Sequence, residues 1–127
     1  MRALFTRSLL IGASAIASAG SWSGYLVDSA CYDREERNVS PHDTLTSVDR
    51  DKDYEVRVCH PRVDSKSFAI VDRDGIGFHL DSEGNRKAGE LLRQIGKPIR
   101  AMKYFSVDVT GEMKRNALAV SSITAKR

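Results

Sequence analysis

Hydrophobic and polar positions change period between Ser67 and Pro98, and that stretch sets the architecture expected of the chain. Phe68-Ala69-Ile70-Val71 is a short apolar run, followed by Asp72-Arg73-Asp74-Gly75, a turn whose last residue tolerates positive φ. Ile76, Phe78 and Leu80 then alternate with Gly77, His79 and Asp81, the period of a half-buried strand. After a Ser82-Glu83-Gly84 break, Ala88, Leu91, Leu92 and Ile95 fall at i, i+3, i+4 and i+7, one stripe of a helix. Asn85 is the expected N-cap, and Gly96 followed by Pro98 is the stop.

The flanking segments add strands. In Ser21 to Ser29, Trp22, Gly24 and Leu26 share one parity and Tyr25 and Val27 the other, so this strand is covered in part on both faces. Gly24 marks a bend where a barrel strand curves. Cys31 to Lys52 is polar and reads as a long surface loop with at most one helical turn. Tyr54, Val56 and Val58 alternate with Glu55 and Arg57, which predicts a strand over Asp53–Cys59, with a short helix as the alternative. Ile99 to Val109 shares a parity that Lys103 interrupts and places Arg100, Tyr104 and Ser106 outward. Lys114-Arg115-Asn116 is a turn into a last strand through Leu118 and Val120 to Ile123. The fold class expected is mainly β with one helix: a small five-stranded OB-like barrel with the helix between strands 3 and 4.

Residues 1–19 carry a different signal. Met1 to Arg7 holds Arg2 and Arg7 and no acid, Ser8 to Ile16 is apolar or small, and Ala17-Ser18-Ala19 fits a cleavage site. The apolar run falls short of the roughly 20 residues that span a bilayer, so it reads as a signal peptide and no membrane span is expected after its cleavage. Residues 20–127 then form one small domain, periplasmic or secreted. The net charge falls from +3 to +1 once Arg2 and Arg7 leave, which argues against a nucleic-acid partner.

Gly24-Tyr25-Leu26-Val27-Asp28-Ser29-Ala30-Cys31, then Cys59-His60-Pro61, then Phe68-Ala69-Ile70 with Asp74-Gly75 and Leu80-Asp81, carry a resemblance. The chain resembles a family of small exported bacterial OB-like domains of unknown function, which pair a G-x-x-x-D-x-x-C opening with a later cysteine. The resemblance implies fold and export and carries over no catalytic residue.

Cys31 and Cys59 are the only cysteines, and in an oxidising compartment they are expected to form a disulfide. The competing use is a zinc or copper site of Cys31, Cys59 and His60 with His42 or His79, although no paired C-x-x-C spacing supports it. Asp49, Asp51 and Asp53 begin like a calcium loop, but Tyr54 and His60 stand where that loop needs Gly and Glu. Asn38-Val39-Ser40 matches a glycosylation acceptor, with no sugar expected in a bacterial protein. The G-x-S-x-G, H-E-x-x-H and phosphate-cradling glycine patterns are missing, so neither an enzyme nor a cofactor is expected. An outer sheet face with His79, Arg100 and Tyr104 remains as the expected binding surface. The expected role is a non-enzymatic module for a small ligand, an oligosaccharide or an envelope protein. The alternatives are a structural or stress-associated envelope protein and a Cys/His metal-binding protein. N-terminal sequencing of the exported protein should give a start close to Gly20; a retained Met1 in the soluble mature form overturns the export reading.

Overall fold

The structure, a computed structural model, describes residues 19–37 and 53–126. Five strands form one antiparallel sheet: β1 Ala19–Asp28, β2 Phe68–Val71, β3 Gly77–His79, β4 Ser106–Met113 and β5 Leu118–Ala125, in the order β3-β2-β1-β4-β5. Helix α1 (Ser29–Arg37) follows β1, a short helix α2 covers residues 53–58, and α3 (Ser82–Ile95) follows β3. A 3₁₀ turn over Lys97–Ala101 leads towards β4.

β1 is the strand on which the sheet turns. Its first part, Ala19 to Tyr25, pairs with β4, and its last part, Tyr25 to Asp28, pairs with β2. The change of partner occurs beside Gly24, where a Cβ would sit 2.6 Å from the Val71 carbonyl oxygen. Only glycine lets the two backbones pass this closely. Gly24, read from the sequence as a bend or bulge, is the place where β1 passes from one partner strand to the other.

The sheet separates two apolar clusters. On the inner face, Leu26, Phe68, Ile70, Leu80, Phe105, Val107, Val109, Leu118 and Val120 pack with Ala88 and Leu92 of α3 and with Ile99. Phe78, Leu91 and Ile95 are half-buried against this cluster. On the outer face, Val27, Ala69 and Val71 meet Tyr32 of α1, Val56 of α2 and Cys59, with Cys31 and Tyr104 at the margin.

Several expectations are corrected. The sheet is not a closed barrel: between its edges β3 and β5 there is a single parallel bridge, Leu80 with Leu118, supported by the Asp81 amide donating to the Leu118 carbonyl at 3.0 Å. Helix is not confined to one segment between the third and fourth strands, because α1 and α2 lie between β1 and β2. Asp53–Cys59 is helical rather than a strand, with Glu55, Val56 and Cys59 buried at helical spacing and Tyr54 and Val58 exposed. The polar stretch after Cys31 is helical as far as Arg37; its remainder lies outside the described residues.

α3 begins one turn earlier than its apolar stripe suggests. Asp81, not Asn85, caps it by accepting from the Gly84 amide at 2.8 Å. Asn85 instead accepts from the Phe68 amide at 2.8 Å and ties the helix to β2. Gly84 does not break the helix; it lets the first turn approach Val120, whose Cγ2 would lie 2.6 Å from an added Cβ. Ile76 is 53% exposed and lies just before β3, so it does not share the inward position of Phe78 and Leu80. Ile99 and Arg100 belong to the 3₁₀ turn, and Lys103 is exposed in the segment between that turn and β4, free of any inward parity.

Cys31 and Cys59 form a disulfide with a Cα separation of 5.4 Å. It joins the first turn of α1 to the residue that closes α2, whose amide donates to the Glu55 carbonyl at 2.9 Å. With both sulfurs in the bridge, the Cys/His metal alternative loses two of its ligands. Closing a loop of 28 positions removes about 3–4 kcal/mol of unfolded-chain entropy. Reduction, or replacement of both cysteines by serine, should lower stability by about 2–4 kcal/mol. Calorimetry with and without reductant reads the effect; an unchanged melting temperature would show that the bridge carries no stability.

Candidate functional site

The Asp28 that opens the D-x-x-C motif has a mechanical role. Its Oδ1 accepts from the Cys31 amide at 3.1 Å, capping α1, and its Oδ2 accepts from Ser65 Oγ at 2.7 Å. The three-residue spacing from the capping carboxylate puts Cys31 in the first helical turn, where it meets Cys59. α1 then runs over the outer face at β3: an added Cβ on Gly77 would lie 2.9 Å from the Tyr32 ring.

That cover decides the fate of His79. Its Nε2 lies 2.8 Å from Asp33 Oδ1 on α1, an exposed pair that ties helix to strand. Such pairs contribute little energy, yet the imidazole is engaged. Arg100 lines a cleft beside His60–Asp64. Tyr104 stacks on Tyr25 with ring centroids 4.9 Å apart. The three residues expected on one binding patch thus stand in three neighbourhoods with no common partner.

What remains open on the outer face is the half formed by β1, β4 and β5. Ser21 and Ser23 on β1 lie opposite Thr110 and Asp108 on β4, which lie opposite Ser122 and Thr124 on β5. Ser23 Oγ donates to Asp108 Oδ1, and Thr110 and Ser122 share a hydrogen bond of 2.6 Å between hydroxyls. Val107 and Val109 alternate with these positions and are fully buried, so the face is a hydroxyl-rich sheet surface over an apolar interior.

At one end of this face, Ser23, Gly24, Tyr25, Val71, Arg73, Ser106 and Lys126 line a cleft of about 410 Å³. Tyr25 is 37% exposed, and Tyr104 supports one side of its ring. Tyr104 is held in turn: its hydroxyl donates to the Asp53 carboxylate at the start of α2, and the Lys103 ammonium lies 5.5 Å from its ring centroid. Asp53 also accepts from Arg57 at 3.0 Å. Among the described residues, neither Arg73 nor Lys126 has an ion-pair partner, so two cations stand free at the mouth of the cleft.

Tyr104 was legible from the sequence as an outward aromatic; Tyr25, Arg73 and Lys126 were not. The available signal for Tyr25 was its parity with Ser21 and Ser23, which marks a solvent-side aromatic. Arg73 was hidden in a turn motif whose Asp and Gly residues explain the turn without it. His42, Asp49, Asp51 and the Asn38-Val39-Ser40 acceptor lie outside the described residues. No protein-family model, curated protein or solved structure matches the chain.

The Asp53–Tyr104 contact shifts both groups. The tyrosine hydroxyl, with Arg57 beside it, holds the Asp53 carboxyl below its ordinary 3.8, and the carboxylate raises the Tyr104 phenol above its ordinary 10.0. The depressed carboxyl contributes stability that is present above its unfolded pKa and lost as pH falls through the folded value. The raised phenol contributes stability that is complete below its unfolded pKa and lost as pH rises through the folded value. The contact is therefore strongest between those two ranges. Asp53→Asn should bring one of the four tyrosines back towards the ordinary phenol range in an ultraviolet difference titration, and Tyr104→Phe should remove that same transition. Identical alkaline titrations of wild type and Asp53→Asn would overturn the assignment.

Proposed function

We propose that this chain is an exported, non-enzymatic binding module that holds an acidic oligosaccharide on the outer face of β1, β4 and β5. The observation that carries the reading is the half-exposed Tyr25 ring, backed by Tyr104 and flanked by the free cations Arg73 and Lys126. A sugar ring stacks its C–H face on such an aromatic, while its hydroxyls exchange hydrogen bonds with a surface of serines and threonines. Arginine and lysine at the mouth favour carboxylates on the sugar.

The fold supports this use at a finer level. The strand order of the open sheet, with the Leu80–Leu118 bridge lying between its edges, supports reading it as OB-like. Barrels of that kind bind oligosaccharides and oligonucleotides on an outer sheet face and its loops. Export is the reading that fits the signal-like sequence of residues 1–19 and the disulfide, a bond that persists in oxidising compartments. Among the described residues no helix is long and apolar enough to cross a membrane. The resemblance to small exported OB-like domains points the same way.

Titration with an oligogalacturonate, beside a neutral cello-oligosaccharide, tests the proposal. The acidic oligomer should bind, and weaken as salt rises. Tyr25→Ala, and Arg73→Ala with Lys126→Ala, should each weaken it by about tenfold or more, the loss expected for one stacked ring or one charged hydrogen bond. Failure of the acidic oligomer to bind, or unchanged affinity in the Tyr25→Ala protein, overturns it.

A further inference from the structure

A second cleft, of about 500 Å³, lies between the segment that follows the disulfide and the end of α3. His60, Pro61, Val63 and Asp64 form one wall; Lys97, Ile99 and Arg100 of the 3₁₀ turn form another. None of these residues borders the Tyr25 cleft. We propose that this cleft is a separate site for a small carboxylate carrying an apolar body, such as an acyl or aryl acid.

The walls supply both halves of that ligand. Pro61 and Ile99 are buried and Val63 is half exposed, so the floor is apolar and its rim reachable. The cations are arranged unequally. Arg62, which also lines the cleft, already pairs with Asp64 at 3.4 Å. Lys97 and Arg100 are exposed and have no ion-pair partner among the described residues. Two uncommitted cations beside an apolar floor, with the single lining carboxylate neutralised, favour an anion with a hydrophobic portion.

Contacts at the start of each wall anchor the cleft to the fold. Cys59 anchors the start of the first wall through the disulfide, and its carbonyl accepts from the Asp28 amide at 2.9 Å. The His60 ring donates Nδ1–H to the Pro61 carbonyl at 3.1 Å. Its Nε2 is buried and unpaired, a polar atom left in the wall without a protein partner. On the other side, the Gly96 amide closes α3 on the Leu92 carbonyl at 2.9 Å and its carbonyl accepts from Ile99 at 3.2 Å, which sets where Lys97 and Arg100 begin. A cleft anchored in this way loses little order on binding, which favours measurable affinity for a small molecule.

Octanoate and octanol, titrated separately into the exported protein with its disulfide intact and followed by amide chemical shifts, test the site. Octanoate should saturate and move amides of residues 60–64 and 96–100, while octanol should not saturate. Replacing Lys97 and Arg100 together by alanine should weaken octanoate by about tenfold or more, as loss of charged hydrogen bonds predicts, with the remaining spectrum unchanged. Arg73→Ala with Lys126→Ala should leave octanoate binding intact, which separates this site from the oligosaccharide face. The inference is overturned if millimolar octanoate produces no saturable shifts. It is equally overturned if octanol reproduces those shifts, or if the Lys97/Arg100 variant binds as wild type does.

Discussion

The Cys31–Cys59 bridge is the constraint on which the outer half of the molecule depends. The inner cluster of twelve buried residues is a full core for a chain of this size, whereas the outer cluster has only six. Burial on that scale holds two short helices weakly, and α2 is shorter than any helix that is stable alone. The bridge replaces missing hydrophobic area with a covalent limit on how far α1 and α2 can separate. Its effect extends past the sulfurs, because α2 begins with Asp53, Asp53 holds Tyr104, and Tyr104 supports Tyr25. A structural bridge and a surface aromatic thus belong to one chain of contacts.

The inner half is held differently, by backbone groups satisfied across elements. Asp81 Oδ1 accepts from Gly84 at the start of α3 and from Val120 on β5 at 3.3 Å, while Asn85 reaches β2. These few polar side chains fix the helix to both arms of the sheet. The apolar stripe of Ala88, Leu91, Leu92 and Ile95 supplies attraction but not register. Capping and docking are therefore carried out by the same residues, and the seam between β3 and β5 is bridged where they meet.

The legible parts of the fold were those with a sustained helical spacing or a strong turn signal. The α3 stripe repeats over two turns, and the Asp72–Gly75 turn marks the hairpin of β2 and β3, whose strands are only four and three residues long. Over Asp53–Cys59 the apolar residues Tyr54, Val56 and Val58 alternate as in a strand, yet burial falls on Glu55, Val56 and Cys59, and a buried glutamate is what an apolar pattern does not show. Gly84 imitates a helix break and so hides Asp81 as the cap, although its lack of a side chain serves contact with Val120. The parity of Ile99 and Ala101 continues through a 3₁₀ turn, so the pattern extends ahead of the true start of β4. The candidate site was legible only at Tyr104. Tyr25, Arg73 and Lys126 come from the first strand, a hairpin turn and the far end of the last strand, and only the sheet order brings them together.

The split pairing of β1 also orders events in time. Ser23 bonds to Asp108, 85 positions along the chain, whereas β2, β3 and α3 find one another within a short stretch. Closing so distant a ladder is slow relative to forming a hairpin and a helix. The first part of β1 waits for β4, near the far end of the chain, whereas its last part can pair with β2 earlier. The β4–β5 hairpin therefore completes the sheet last, joining a strand whose other end is already tied to β2 and to the segment held by the Cys31–Cys59 bridge.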